Sequence, residues 1–265
     1  MREIVIDKHL CIRCGQCALS CPSRLYLRKT LKEYPALIDH AGDFCIACNH
    51  CVAICPTSAI SVDGINGDQC EPFDKNAIPR FEYIASLVRM RRSIRRYTDE
   101  ALDKRVIEQL LNVVRWAPSA KNGLPVKWIV MNDRERVKEL AGLVVKWLLG
   151  RPGMEKMGEA WNNGIDPIFR RAPCVIVAYT DQTAIWPVVD TTIAVETLDL
   201  CVTAMRLGSC WAGFFIQAAQ HDPNIKSWLG LEPTETVHGG LMIGHIAEEF
   251  YQKIPHRPEL QLRWM

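Results

Sequence analysis

The chain has 265 residues, 48% of them apolar, with 32 basic against 30 acidic residues and a formal net charge of +2. That length suits one large or two modest domains with a proper core, and the near balance of charge argues against nucleic acid as the main partner. No run of about eighteen apolar residues occurs, so no membrane span is expected. The opening MREIVIDKHL lacks the apolar stretch and cleavage site of a signal peptide, so the expected location is cytoplasmic.

The chain carries 12 cysteines, eight of them within the first 55 residues. In a reducing compartment such clustering favours metal binding or catalysis over disulfides. Cys11, Cys14, Cys17 and Cys21, followed by Pro22, are spaced C-x2-C-x2-C-x3-C-P, and the pattern returns as Cys45, Cys48, Cys51, Cys55 and Pro56, a period of 34 residues. Ile6-Asp7 precedes the first set and Ile38-Asp39 the second. Over roughly residues 1–63 this resembles the bacterial two-cluster ferredoxin, whose soft thiolates hold two [4Fe–4S] clusters. In that family the fourth cysteine of each run ligates the other cluster. The resemblance therefore assigns Cys11, Cys14, Cys17 and Cys55 to one cluster, and Cys45, Cys48, Cys51 and Cys21 to the other. Zinc is the alternative, but zinc sites usually pair two C-x2-C units. Arg13 and His50 lie inside the loops and read as solvated surface charges.

Residues 64–80, within the Gly-, Pro-, Asp- and Asn-rich DGINGDQCEPFDKNAIPR, read as a linker in which Cys70 is a bystander. Beyond it helical and strand patterns alternate. Val106, Ile107, Leu110, Leu111 and Val114 form a helical stripe within 100–115, and Val137, Leu140, Ala141, Val144 and Leu148 another within 133–148, stopped by Gly150. Strands are expected at Lys127–Met131, Cys174–Tyr179 and Val237–Ile246, a long helix at 189–207 ending at Gly208, and a further helix from Asp222-Pro223 to Gly230. The class is α+β, a mixed sheet covered by helices. Cys174, Cys201 and Cys210 sit among apolar residues and read as buried hydrophobes.

Four stretches in order carry a second resemblance: Arg91-Arg92-Ser93-Ile94-Arg95-Arg96-Tyr97; Ala117-Pro118-Ser119-Ala120-Lys121-Asn122-Gly123-Leu124-Pro125; Leu207-Gly208-Ser209-Cys210-Trp211-Ala212-Gly213-Phe214; and Gly244-His245-Ile246-Ala247-Glu248-Glu249 with His256-Arg257-Pro258. Together, over roughly 81–265, they resemble the FMN-dependent nitroreductase family. The resemblance implies a nitroreductase-like mixed sheet preceded by a ferredoxin-like βαββαβ iron–sulfur domain. It implies FMN, with Arg91 and Arg257 on the phosphate, where guanidinium groups pair bidentately. Ser93 would bond the ribityl chain or pyrimidine edge, Arg95 would face the N1/C2=O edge, and Arg92 would contribute its backbone. Pro118, Ser119, Ala120, Asn122 and Leu124 would reach the flavin of a partner subunit, which makes the enzyme an obligate homodimer. Cys210 lies in the third stretch, where the backbone of Ala212 and Gly213 would address flavin N5; glycine permits that close approach.

The chain departs from the family pattern at Leu124, where glutamine is usual, at Val126, where an aromatic is usual, and at Ala212, where an acid is common. Residues 150–170 would shape the pocket. No side chain is singled out as catalytic, since the chemistry belongs to flavin N5. The expected function is an iron–sulfur flavoprotein oxidoreductase. It would take electrons from reduced ferredoxin or NAD(P)H, pass them from two [4Fe–4S] clusters to FMN, and reduce a small conjugated acceptor: a nitroaromatic, quinone or activated alkene. No GxGxxG follows a strand, so no dedicated Rossmann site for a nicotinamide is expected. The alternatives are an electron-transfer adaptor serving a partner protein, a redox sensor, or a flavoprotein that dehalogenates or breaks down flavin.

Overall fold

The computed structural model describes residues 1–27, 33–247 and 253–265. They divide into two compact units: Met1–Ile78 with Lys121–Gly123, and Pro79–Ala120 with Leu124–Met265.

The first unit is built on its internal repeat. Its elements are β1 (Ile4–Ile6), α1 (Gln16–Ser20), β2 (Tyr26–Leu27), β3 (Ala36–Leu37), α2 (Ala41–Phe44), α3 (His50–Ala53) and β4 (Ile60–Val62). Two short helices thus stand between β3 and β4, where a single one was expected. β1 pairs antiparallel with β4, and β2 with β3. The 34-residue period is written into the backbone: left-handed residues recur as Arg13 and Ala47, Gly15 and Asn49, Arg24 and Ser58. Five of those six carry a Cβ, which makes the conformation uncommon, and Gly15 and Asn49 lead directly into α1 and α3. Cys17, Leu25, Tyr26, Ala41, Val52, Ile60 and Val62 form the core. The linker residues make two 3-10 turns, Gly67–Gln69 and Lys75–Ala77, the first closed by a reciprocal cap between Asn66 and Gln69. Cys70 packs against the small core.

The second unit contains α4 (Phe81–Met90), α5 (Lys104–Val114), β5 (Lys127–Met131), α6 (Arg134–Leu149), α7 (Glu155–Asn162), β6 (Cys174–Asp181), α8 (Pro187–Ala204), β7 (Gly208–Trp211), α9 (Gly213–His221), α10 (Pro223–Trp228) and β8 (Glu235–Gly244). The strands form an antiparallel sheet in the order β5-β6-β8-β7. Alternation along β6 sends Val175 and Val177 to one face and Cys174, Ile176 and Ala178 to the other. The first face meets Val137, Leu140 and Val144 of α6 and Phe215 of α9; the second meets Leu110 of α5 and Val195, Leu198 and Val202 of α8. Because both faces are covered, β6 reads as a continuous apolar run. On β8 the two helix layers come close through small residues: a Cβ on Gly239 would lie 2.7 Å from Val195, and one on Gly240 3.0 Å from the Phe215 ring.

The expected helix at 189–207 starts earlier, with Pro187 in its first turn, and ends at Ala204, before the left-handed Arg206. The expected helices within 100–115 and 133–148 begin after Asp103 and Asp133, whose carboxylates accept from the backbone two residues on. Four elements were not foreseen: α4, α7, β7 and α9. β7 is only four residues, GSCW, squeezed between two helices, too short for a period to declare itself.

Candidate functional sites

In the first unit the eight cysteines are free thiols arranged around two cavities. One is lined by Cys21, Cys45, Cys48 and Cys51 with Tyr26, the other by Cys11, Cys14, Cys17 and Cys55 with Ile60. Each cavity thus gathers three cysteines of one run and the last cysteine of the other. Among the described residues, no three His, Cys, Asp or Glu side chains converge closely enough to hold one single metal ion, so the thiols stand around each cavity rather than on one point. At Cys55 the sulfur accepts from the Ala59 N–H at 3.2 Å and lies 3.8 Å from the Thr57 hydroxyl. In the other cavity Tyr26 is 8% exposed, and its hydroxyl lies beside the Cys51 sulfur without a hydrogen bond of good geometry. Burial, then the neighbouring Cys51 sulfur, raise the Tyr26 pKa, and the hydroxyl in turn works against the burial that raises Cys51. A buried donor without an acceptor costs free energy, and a sulfur-rich cluster in the cavity would supply one. The thiol sets, their cavities and this orphaned donor fit two iron–sulfur clusters. Asn122, on the short segment counted with this unit, donates through Nδ2 to the Ile46 and Ala47 carbonyls at 3.3 and 3.1 Å.

In the second unit a cavity of about 400 Å³ is lined by Arg95, Cys210, Trp211, Gly213 and Phe214, with Pro167, Ile168 and Arg170 from the segment after α7, and Gln217 and Met242. Arg95 gets there because its segment is strapped along the sheet edge. Ser93 bridges Ser209 of β7, the Ile94 N–H donates to the Ser209 carbonyl at 2.8 Å, and Tyr97 bridges Ile246. The start of α9 supplies another wall. Ala212 is not free there: its N–H donates to Gly240 at 2.9 Å and its carbonyl accepts from Ile216 at 3.0 Å. Gly213, the first helical residue, has no intrahelical acceptor for its N–H, and a Cβ there would meet nothing within 4 Å. Two guanidinium groups and a helix N-terminus make this a place for an anionic or electron-rich group.

The remaining expected contacts lie elsewhere. Arg91 Nη1 pairs at 3.2 Å with Asp199, a carboxylate 1% exposed that also accepts from the Ser209 hydroxyl. Burial and then Asp199 raise the pKa of neighbouring Glu196, with Arg91 opposing. Arg92 is half-buried beside it. Ser119 Oγ accepts from the Leu124 N–H, and the Ala120 N–H donates to the buried Asp190, both at 2.9 Å. Lys121, Asn122 and Leu124 all have positive φ, of 49°, 54° and 45°, so this exposed turn holds backbone strain of the kind found at ligand contacts. Pro118 and Leu124 are exposed, and none of Pro118, Ser119, Ala120, Asn122 and Leu124 lines the Arg95 cavity. Arg257 lies in an exposed terminal stretch with neither helix nor strand, while Glu248 and Glu249 fall outside the described residues. Asp190, Asp199 and Arg170 were not anticipated. The signal for the first two was the presence of acids in the mostly apolar α8, where Glu196 stands as well. Burial pushes the Cys174 thiol up to about 12 and raises that of Cys201, so neither is a ready nucleophile. Among the described residues no helix is long and apolar enough to cross a membrane.

Comparison with known proteins agrees with this division. Residues 88–245 match the nitroreductase family and residues 10–60 the 4Fe-4S dicluster domain. An archaeal relative from Archaeoglobus fulgidus, provisionally named an NADH dehydrogenase/NAD(P)H nitroreductase, is 26% identical over 64% of this chain and 91% of its own length. An FMN reductase [NAD(P)H] of Bacillus subtilis is 29% identical over 63% of this chain and 67% of its own. Among solved structures, a nitroreductase with bound FMN from Bacteroides fragilis superposes with a TM-score of 0.59 at 17% identity, covering 68% of this chain and 97% of that one. Another with bound FMN, from Desulfitobacterium hafniense, gives 0.56 at 22% identity, over 66% and 93%. These likenesses show a nitroreductase-like α+β fold, and the chain belongs to the nitroreductase family, with a 4Fe-4S dicluster domain at its N-terminal end.

Proposed function

We propose that the chain is an FMN oxidoreductase that draws electrons from two [4Fe–4S] clusters and reduces a small conjugated acceptor such as a nitroaromatic, quinone or activated alkene. The observation that carries the proposal is the Arg95–Gly213 cavity in a chain whose other unit holds two four-thiol cavities. Bound FMN supplies the exchange between single electrons and a hydride. The protein supplies placement and field. Arg95 provides a cation that favours the reduced ring, the Gly213 N–H provides a donor, and Trp211 and Phe214 supply apolar wall. Arg257 is the phosphate partner. Arg91, held by Asp199, reaches the phosphate only with the donors that pair leaves over. The relatives' names make NAD(P)H one donor and the iron–sulfur domain makes reduced ferredoxin another. Residues 1–63 are the electron-entry domain, 64–80 the linker and 81–265 the flavin domain, in a cytoplasmic protein.

The working form is a homodimer with the strained 118–124 turn contributed to the partner's flavin; Asn122, engaged with Ile46 and Ala47, leaves that set. Helix α4 supports this, because none of its residues is buried and Phe81, Tyr83, Ile84 and Val88 are exposed. An apolar helix face left open suits a second copy.

Anaerobically purified protein should hold flavin and eight iron atoms per chain, bleach with reduced ferredoxin or NAD(P)H, and recover its colour when one of these acceptors is added. Gly213→Ala should keep the fold yet lower flavin affinity by about tenfold, since a methyl group there points into open space that the ring requires. Bleaching without recovery by any small acceptor would leave the electron-transfer adaptor as the better reading.

A further inference from the structure

The two thiol cavities are repeat mates, and one position separates them chemically. Tyr26 and Ile60 stand 34 residues apart, the period of the cysteine pattern, and each lines the cavity of the opposite run. Ile60 offers only methyl groups. Tyr26 offers a hydroxyl, in a side chain 8% exposed, whose oxygen lies beside the Cys51 sulfur without a hydrogen bond of good geometry. We propose that Tyr26 is a positioning donor that selectively raises the reduction potential of the cluster held by Cys45, Cys48, Cys51 and Cys21. This rests on the assignment of clusters to the two cavities.

The argument is electrostatic. One-electron reduction adds negative charge that spreads over the cluster and its cysteine sulfurs. A hydrogen bond to those sulfurs favours the more negative form, and such bonds are among the terms that set cluster potentials. The low dielectric around a buried phenol strengthens the effect. The Tyr26 ring packs in the small core as Ile60 does in the other half, and the hydroxyl is what the repeat mate lacks. The second cavity has its own donor at Cys55, the Ala59 N–H, with the Thr57 hydroxyl 3.8 Å from the same sulfur, and a change at Tyr26 leaves both untouched. Selectivity for one cluster is therefore the signature.

The test is an anaerobic redox titration of the whole protein followed by electron paramagnetic resonance, on Tyr26→Phe and on Tyr26→Ile, which copies the repeat mate. Iron and sulfide are counted first; fewer than eight of each in the unmodified protein would refute the cluster assignment itself. With eight of each, one midpoint potential should fall in both variants while the other stays in place. The expected shift is about a tenfold loss in the equilibrium constant for reduction, or about 59 mV for one electron. Unmoved potentials, or two potentials falling together, would overturn the proposal. So would loss of a cluster from both variants, which would make Tyr26 a purely structural residue.

Discussion

The two units bury their apolar residues by different means. In the flavin unit a sheet covered on both faces encloses Phe169, Phe215, Leu110, Leu198 and their neighbours, and alternation along β6 assigns each residue to a layer. In the iron–sulfur unit the described strands are two or three residues long, the core comprises seven buried residues, and one of these is a ligand candidate, Cys17. Its cysteine loops also contain left-handed Arg13, Ala47 and Asn49, conformations that persist only when something else enforces them. A small unit with so little apolar area needs a covalent or metal staple. The lesson is that one chain carries a domain that its own side chains hold and a domain whose own core is too thin to hold it.

The sharpest way to break that contrast is to take the iron away. Chelation under oxidising conditions should unfold residues 1–63, which become sensitive to protease, while the flavin unit keeps its cooperative melting transition. This is the largest effect expected, since ligand binding free energy in such sites is folding free energy. Equal protease resistance with and without iron would show that the small unit stands on its own core.

The flavin unit has a weak place of its own, and it is polar. Asp199 is buried in α8 and is held by Arg91 and Ser209. Arg91→Ala would leave that carboxylate with the serine alone. Removing one member of a buried pair costs about 3 kcal/mol, so urea unfolding of the flavin unit should show a loss of that order, with Arg91→Lys recovering part of it. A loss well below 1 kcal/mol would mean that solvent reaches the pair, and Arg91 would then be free to serve a phosphate.

Much of this contrast was legible in the residues. Cysteine spacing identified both cavities, because a ligand set is a local pattern repeated at a fixed period. The strands expected at Lys127–Met131 and Cys174–Tyr179 announced themselves as apolar runs, the second continuing to Asp181. Arg95 and Gly213, both singled out through the family resemblance, line one cavity. What stayed hidden depended on tertiary contact. Arg91 turns to a carboxylate more than a hundred residues away, which no spacing rule encodes. The N–H of Ala212 is taken by Gly240 through strand pairing. β7 is defined by its partner strand rather than by its own four residues. Asn122 bonds two carbonyls of the Ile46–Ala47 segment, whereas the motif it belongs to pointed only to flavin.

The smallest expected effect sharpens the contrast through pH. His238 of β8 has its Nδ1 buried without a partner, and burial lowers its pKa below the usual 6.5. The unfolded chain therefore takes up this proton at higher pH than the folded one. The contribution to stability is present above about 6.5 and is lost as pH falls through the depressed folded value. Glu196 works the other way: its raised pKa favours the folded state below its ordinary value of 4.5, and that advantage disappears as pH rises through the raised value. The total slope mixes the two, so the informative quantity is a difference. Urea midpoints of the flavin unit between pH 7.5 and 5.5 should fall less in His238→Asn than in the unmodified protein, with the gap opening as pH drops below 6.5. Parallel curves would mean that His238 becomes protonated within the folded sheet, and that the large unit is more permeable to water than its dry core implies.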